Sequence, residues 1–280
     1  MHREPRDNWH ARRIEEPKAV WKDEPHSCHS AFRPLRCLEI CGGRRVEVEV
    51  DVDVATDEAV SISLDGECVA TLVALPVQLK EMAVGFLIGE GLVESMHDIA
   101  SVKEDNCSLI CETLGGIDGR KKRAADHRSR GGSAALISKP VRSDFKIEAA
   151  ALLVAVDQLN DLARLWRRTG ATHTSMICNS AGSILASCED IGRSSSVDKA
   201  IGTALLAGID LSKCALITRG RLSSVIVAKA ARAGFPAIVS RSAPMNSAVR
   251  KAEEVGMTLV AFARSPNLYV YAGAERIIQR

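Results

Sequence analysis

Several common functional signatures are absent from this chain of 280 residues. No apolar run is long enough to span a membrane. The first residues, Met-His-Arg-Glu-Pro-Arg-Asp, lack the apolar core of a signal peptide. The formal net charge is only +2, so the charge balance gives no indication of a nucleic-acid partner. The sequence therefore predicts a cytoplasmic protein that binds neither membranes nor nucleic acid.

The cysteines form none of the usual motifs, although nine are present. Their odd number and scattered spacing argue against a secreted disulfide framework. No two of them form a Cys-x-x-Cys pair, and the sequence has no His-Glu-x-x-His. A zinc hydrolase is therefore not supported. A zinc-dependent deaminase is poorly supported too, because its site needs His-x-Glu and Cys-x-x-Cys, and His173-Thr-Ser175 lacks the glutamate. Most of these thiols are expected to be small buried side chains.

The chain divides into three regions by pattern. Residues 1–43 are rich in Arg, Glu, Pro and His without periodicity, which predicts a disordered or loosely attached tail. Residues 44–145 predict a smaller N-terminal α+β domain, which opens with the strictly alternating strand 46–54. The end of this domain, 115–139, contains glycines and a basic run. It predicts a mobile loop, either simply solvated or meeting a phosphate or an acidic partner.

Residues 146–280 alternate between helical and strand patterns. They predict an α/β domain with helices on both faces of a mixed sheet. Ligands of such sheets bind where strands end and helices begin. Polar clusters fall at predicted strand ends and are expected to share a pocket; they occupy 189–199, 218–223, 240–246 and 264–267. In addition, one strand is predicted over 101–114 and one long helix over 146–168.

The densest cluster reads Glu189-Asp-Ile-Gly-Arg193 followed by Val197-Asp-Lys199. Charged residues are rarely buried unless they are paired. This density at a strand-to-helix junction predicts a polar pocket for an anionic ligand. The alternative is a capped helix start with solvated charges.

Three further motifs leave alternatives open. His173, at a helix-to-strand corner, is either a base or ligand-orienting imidazole, or a structural histidine. The segment Thr218–Ser223 places two arginines and a glycine before a helix, which indicates an anion site without being a Walker motif. Ser242 or Asn246 caps a helix, binds a ligand oxygen, or does both.

Taken in order, these stretches resemble the formate dehydrogenase accessory sulfurtransferase family, FdhD. The resemblance covers about residues 55 to 280. It rests on Gly85-Phe-Leu-Ile-Gly-Glu-Gly91, Thr169-Gly-Ala-Thr-His173, Glu189-Asp-Ile-Gly-Arg193 with Val197-Asp-Lys199, Gly220-Arg-Leu-Ser223, Ser242-Ala-Pro244 and Thr258-Leu-Val-Ala-Phe-Ala-Arg264.

The resemblance implies a cytoplasmic homodimer that takes persulfide sulfur from a cysteine desulfurase. It passes the sulfur to molybdenum bis(molybdopterin guanine dinucleotide), destined for the catalytic subunit of formate dehydrogenase. The larger domain is expected to have a three-layer, cytidine deaminase-like fold. A GDP-like nucleotide is expected to mimic the cofactor. The residues expected to bind it are Phe262, Ala263, Arg264, Ser265, Pro266, Asn267, His173, Asp190, Gly192, Arg193, Asp198, Lys199, Arg221 and Ser242.

The sequence departs from the family at the sulfur-carrying motif. Ala134 and Ile137 stand where the family has the two cysteines of Cys-x-x-Cys. Neither side chain can form a thiolate or a persulfide. Two functions therefore stay open, a sulfur carrier or a non-catalytic chaperone that binds and presents the cofactor. The first requires a substitute carrier among the remaining thiols; the candidates are Cys107, Cys111, Cys178 and Cys188.

Overall fold

A computed structural model describes residues 30–41, 44–114 and 140–279. The chain has a mixed α/β architecture with two main sheets. The predictions for the basic loop 115–139, including Ala134 and Ile137, lie outside the described residues. Within the described ranges, no helix is long and apolar enough to cross a membrane.

The described chain begins with a long hairpin of β1 (Phe32–Cys41) and β2 (Arg44–Ala55). The tail predicted through residue 43 is therefore wrong for 32–41, whose backbone pairs with β2 despite the irregular sequence. The alternating strand 46–54 is found within β2 as predicted. Its apolar side is not fully buried, because Val52, Val54 and the opposing Leu35 are exposed.

The first main sheet contains four strands in the order β4-β3-β6-β5. Its members are β3 (Glu58–Leu64), β4 (Glu67–Ala74), β5 (Ile99–Asp105) and β6 (Ser108–Thr113). Helix α1 (Leu79–Gly89) packs on this sheet through an apolar core. The single strand predicted over 101–114 is wrong. Asn106 has a φ of 51° and turns the chain between β5 and β6, a conformation that asparagine tolerates.

The second main sheet has six strands in the order β13-β12-β11-β10-β8-β9. Its members are β8 (His173–Asn179), β9 (Ile184–Asp190), β10 (Cys214–Thr218), β11 (Ala237–Ser240), β12 (Thr258–Arg264) and β13 (Asn267–Ala272). Strands β10, β11 and β12 are parallel, whereas the outer pairs are antiparallel. The predicted mixed sheet is therefore present. A short parallel pair, β7 (Ile147–Glu148) and β14 (Ile277–Ile278), stands apart.

Helices cover both faces of the six-stranded sheet, as predicted. On one face lie α2 (Ala149–Leu162) and α3 (Arg164–Thr169), over a core that includes Ile217 and Val239. On the other lie α4 (Arg193–Leu206), α5 (Ser224–Ala233) and α6 (Asn246–Val255), over a core that includes Leu216 and Ile238. The predicted helix 146–168 is interrupted at Ala163, whose ψ of 64° is not helical. The cytidine deaminase-like detail stays a prediction.

The four-stranded unit is joined to the six-stranded unit by a close crossing of α1 and α4. A Cβ atom added at Gly85 of α1 would lie 1.8 Å from the carbonyl oxygen of Asp198. A Cβ atom added at Gly202 of α4 would lie 1.8 Å from the carbonyl oxygen of Glu81. Each helix thus presents a glycine to the backbone of the other. Only glycine permits this approach, which explains why α1 tolerates glycines inside a helix.

Candidate functional site

The carboxyl ends of the three parallel strands form one edge of the six-stranded sheet. His173 begins β8 at this edge and lies opposite Asp190, the last residue of β9. Four neighbouring elements each bring an arginine to this edge: Arg193 begins α4, Arg219 and Arg241 follow β10 and β11, and Arg264 ends β12. The fold therefore brings arginines that are far apart in sequence together in one row. The row lies at the edge where sheets of this kind bind ligands.

Buried hydroxyl groups fix the backbone of this edge. The Ser175 hydroxyl donates to Thr218 Oγ1 at 3.1 Å and contacts Ser196 Oγ at 2.9 Å. The N–H of Gly220 donates to Thr218 Oγ1 at 3.2 Å, and the Ser240 hydroxyl donates to the Gly220 carbonyl at 2.7 Å. The turn that carries Arg219 and Arg221 is consequently held from both sides.

His173 lies among cationic groups. A Cβ atom at Gly220 would lie 3.0 Å from Cβ of Arg193, so the Arg193 side chain begins against that glycine. Burial lowers the pKa of His173 below 6.5, and the charges of Arg193 and Arg219 lower it further, against an opposing effect of Asp190. The imidazole is therefore neutral near pH 7, able to donate one hydrogen bond and accept another.

Arg219 and Arg241 lie on the face covered by α2 and α3. The guanidinium carbon of Arg219 is 3.9 Å from the centroid of the Trp166 ring, a cation–π contact. Arg241 Nη1 is 3.6 Å from Asp157 Oδ1. Burial and the charge of Arg241 lower the pKa of Arg219, while Glu189 opposes the shift. The two arginines therefore form a local concentration of positive charge.

The predicted cofactor stretch 262–267 comprises the end of β12, the Ser265–Pro266 connection and the first residue of β13. Phe262 has a φ of 47°, and its N–H donates to the Ser242 carbonyl at 3.1 Å. Arg264 Nε donates to the Arg241 carbonyl at 3.0 Å, so this connection adjoins the end of β11. An open groove of about 470 Å³ runs along it, lined by Phe262, Arg264, Ser265, Asn267, Tyr269 and Tyr271. Ala263 is buried, and Pro266 follows a cis peptide bond.

Asp190 and Lys199, both predicted to bind cofactor, form a fully buried ion pair with Nζ 2.6 Å from Oδ2. Asp190 Oδ2 also accepts the N–H of Leu75 at 3.1 Å, and Lys199 donates to the Leu75 carbonyl at 3.1 Å. Asp190 Oδ1 accepts the N–H of Gly192, the residue before α4. These charges are therefore paired, and the pair connects the six-stranded unit to the chain leading into α1.

Asp198 takes part in a second buried cluster. Lys229 of α5 contacts Asp198 Oδ1 and Glu90 Oε1, each at 2.8 Å. Burial raises the pKa of Asp198 to about 6, although the positive charge of Lys229 opposes the shift. The two carboxylates hold the pKa of Lys229 above its ordinary value despite its burial. This cluster lies at the α1–α4–α5 junction, away from solvent.

The fold thus separates the predicted site residues into two groups. The first group lies along the sheet edge and consists of His173, Gly192, Arg193, the exposed Arg221, Ser242 and the 262–267 stretch. Asp190, Asp198 and Lys199 are engaged in buried ion pairs. Arg219 and Arg241 lie within the predicted polar clusters 218–223 and 240–246 but are not among the residues predicted to bind the cofactor. The sequence signal for them was an arginine directly after each of two apolar strands.

The buried thiols are poor sulfur carriers. Burial raises the pKa of Cys111 and of Cys178 to about 12. It raises the pKa of Cys188 and of Cys214 to about 11. Since the thiolate is the nucleophile, these groups are unreactive in the folded protein. Cys107 is partly exposed in the β5–β6 turn.

Comparison with known proteins connects this geometry to a family. A sequence model described as the FdhD/NarQ family matches residues 55–278. "Sulfur carrier protein FdhD" of Methanothermobacter thermautotrophicus is 31% identical over 252 residues, covering 89% of this chain and 100% of that protein. The protein of the same name from Listeria monocytogenes is 34% identical over 250 residues, covering 82% and 93%. A crystal structure of a candidate formate dehydrogenase accessory protein from Desulfotalea psychrophila has a TM-score of 0.73 and 26% identity, covering 89% of this chain and 100% of that one.

Proposed function

The chain belongs to the FdhD/NarQ family, and we propose that it is an accessory protein in the maturation of formate dehydrogenase. In this proposal it binds molybdenum bis(molybdopterin guanine dinucleotide) as cargo and presents it to the catalytic subunit of the enzyme. The names of its relatives support the accessory role. The chain's own side chains support the binding of a phosphate-rich cargo.

The observation that carries the proposal is the row of arginines at the sheet edge. Arg193, Arg219, Arg241 and Arg264 come from four neighbouring elements. Adjacent strands lie about 4.8 Å apart, so Arg264, Arg241 and Arg219 extend over roughly 10 Å from β12 to β10, and Arg193 lies against Gly220 at the β10 end. A dinucleotide cofactor with several phosphates is long and anionic, and arginine is suited to bind phosphate through paired N–H groups. The neutral His173 and the groove beside Phe262 add hydrogen-bonding and stacking surfaces for the cargo's uncharged parts.

Sulfur transfer is a second candidate function, favoured by the name "sulfur carrier protein" that the relatives bear. In that case a cysteine desulfurase would supply the sulfur as a persulfide on this chain. Ala134 and Ile137 cannot carry it, and the four buried thiols are unreactive. The binding and presenting role therefore fits this chain's residues better.

Calorimetric titration with GDP tests the binding role. We expect GDP to bind and guanosine not to bind, because the arginines recognise phosphate. Arg264→Ala should weaken GDP binding. The matched control is Arg142→Ala, which removes an exposed arginine at the opposite edge of the sheet; the preceding residue, Val141, donates its N–H to the Val255 carbonyl there. No GDP binding to the wild-type protein, or equal effects of the two substitutions, would contradict the proposal.

A complementation experiment separates the two functions. The gene is placed in a strain that lacks its own sulfurtransferase, and formate dehydrogenase activity is measured. The purified protein is then incubated with a cysteine desulfurase and cysteine and analysed by intact mass spectrometry. We expect no sulfur adduct. An adduct, mapped to Cys107 for example, together with complementation would establish the sulfur-carrier function instead.

A further inference from the structure

Arg219 and Arg241 occupy equivalent positions on neighbouring parallel strands. Thr218 ends β10 and pairs with Ser240 at the end of β11, and each arginine is the next residue. The N–H of Arg241 donates to the Thr218 carbonyl at 3.3 Å, so the two backbones remain adjacent at the arginines. Side chains at the same register of parallel strands leave the sheet on the same face. Both guanidinium groups therefore lie under α2 and α3.

The contacts on that face do not satisfy the guanidinium groups. The Trp166 ring fixes the plane of Arg219 but offers no acceptor to its N–H groups. The 3.6 Å separation between Arg241 Nη1 and Asp157 Oδ1 is too long for a hydrogen bond, and the Asp157 side chain is about half exposed. Like charges are thus held side by side with weak compensation.

Each of the two arginines has one buried nitrogen whose N–H groups lack an acceptor in the described part of the chain. Arg219 Nη1 and Arg241 Nη1 are both inaccessible to solvent and have no hydrogen-bond partner among the residues that the structure describes. The nearby Glu189 carboxylate already accepts hydrogen bonds from the N–H groups of Leu165 and Trp166 and from the hydroxyl of Thr172. Buried donors without acceptors are rare in native proteins, and a missing ion is one of the recognised explanations. Both arginines are only half-buried as whole residues, so an anion that reaches them from the sheet edge would supply the missing acceptors.

We propose that Arg219 and Arg241 share one phosphoryl group of a diphosphate ligand. The inference rests on the proposed function, in which the cargo carries diphosphates, and it specifies where one phosphoryl group binds. A carboxylate has two oxygens, which a single guanidinium group can occupy. A phosphoryl group has enough oxygens to accept hydrogen bonds from two guanidinium groups at once. Trp166 positions Arg219 for this contact by holding its guanidinium plane.

The test uses the full chain and inorganic phosphate as the probe. The melting temperature is measured against phosphate concentration at constant ionic strength, for wild type, Arg219→Ala, Arg241→Ala and the control Arg142→Ala. Binding to the native state raises the melting temperature by mass action. Because a single phosphate contacts both arginines, either substitution should weaken phosphate binding about tenfold or more. The control should bind phosphate like wild type.

The fold is checked in phosphate-free buffer. There, each arginine variant should still unfold in one cooperative transition near the wild-type melting temperature, because the relieved repulsion between the pair offsets the lost contact with Trp166 or Asp157. If only one of the two substitutions weakens the rise in melting temperature with phosphate, the two arginines do not bind the same phosphoryl group. That result would overturn the proposal that they share it. Unchanged phosphate binding in both variants would overturn the site itself.

Parallel titrations with pyrophosphate, GDP and guanosine identify the source of the phosphoryl group. Binding of GDP and pyrophosphate through both arginines, without binding of guanosine, supports a diphosphate. GDP binding that does not need Arg219 or Arg241 overturns this inference and leaves the proposed function standing. Phosphate binding through both arginines, found together with a sulfur adduct and complementation of formate dehydrogenase activity, leaves the anion site standing and replaces the proposed presenting role with sulfur transfer.

Discussion

Lys199 Nζ lies 2.6 Å from Asp190 Oδ2, and neither side chain is exposed to solvent. Both partners also bind the backbone of Leu75, in the segment between β4 and α1. The pair thus connects the end of β9 and the start of α4 to the four-stranded unit. The motif that the sequence marks as a ligand pocket therefore has an architectural role, and the edge that we propose as the ligand site begins beside it at His173 and Arg193.

Removing the lysine of this pair should strongly destabilise the protein. Lys199→Met leaves the Asp190 carboxylate buried without its cation, and breaking a buried pair costs about 3–5 kcal/mol. The free energy of unfolding, measured by urea denaturation, should fall by that amount. Lys213→Met is the matched control, because Lys213 pairs with Asp210 at the surface. It should change stability by less than about 0.5 kcal/mol, and equal losses in the two variants would contradict the role of burial.

The glycine at the helix crossing should not accept a methyl group. In Gly202→Ala the new Cβ would lie 1.8 Å from the backbone oxygen of Glu81, so α1 and α4 must separate. We expect at least about 2 kcal/mol of lost stability in denaturant unfolding. In Gly89→Ala, at the end of α1, the new Cβ would meet side chains rather than backbone, with Lys229 Cγ at 3.2 Å and Asp198 Oδ1 at 3.4 Å. This variant should stay within about 1 kcal/mol of wild type, since alanine favours the helix.

The protonation of His173 should reduce stability at acidic pH. Its pKa is lowered in the folded state, so the unfolded chain binds the proton more tightly. As the pH falls through about 6.5, this group therefore takes stability away from the wild-type protein. His173→Asn lacks this titrating group. Between pH 8 and pH 5, its free energy of unfolding, measured by urea denaturation, should therefore fall less than that of the wild-type protein. The exposed His97→Asn serves as control and should show no such difference.

Thiol labelling should distinguish two classes of cysteine. N-ethylmaleimide at pH 7.5, followed by peptide mass spectrometry, should label the exposed Cys37 and Cys68 in the native protein. The four buried thiols should react only after unfolding, because burial raises their pKa values; they are Cys111, Cys178, Cys188 and Cys214. Rapid native labelling of Cys178 or Cys188 would reopen the question of a substitute sulfur carrier beside the β8–β9 pair.

Apolar runs bounded by polar residues were sufficient to predict most of the second sheet. Residues 214–218, 237–240 and 258–264 contain the buried side chains of parallel strands, and such strands read as continuous hydrophobic runs. The break at Ala163 and the turn at Asn106 escaped prediction, because single backbone dihedrals leave no periodic trace.

The candidate site was predictable only in part, for a geometric reason. The sequence shows where charged residues occur but not which face of an element they leave. Asp198 and Lys199 therefore looked equivalent to Arg193, although they point into a buried junction. The sequence placed Arg219 and Arg241 in two separate polar clusters, and only the pairing of β10 with β11 shows that they lie side by side.

The reciprocal glycine contacts between α1 and α4 limit how this protein can be dissected. A polypeptide shortened to residues 140–279 would lose the backbone that covers Gly202 and the carboxylate of Glu90 that pairs with Lys229. It would also lose Leu75, which holds the Asp190–Lys199 pair. The arginine-lined edge therefore cannot be excised as a minimal binding fragment, and engineering of this site has to start from both units together.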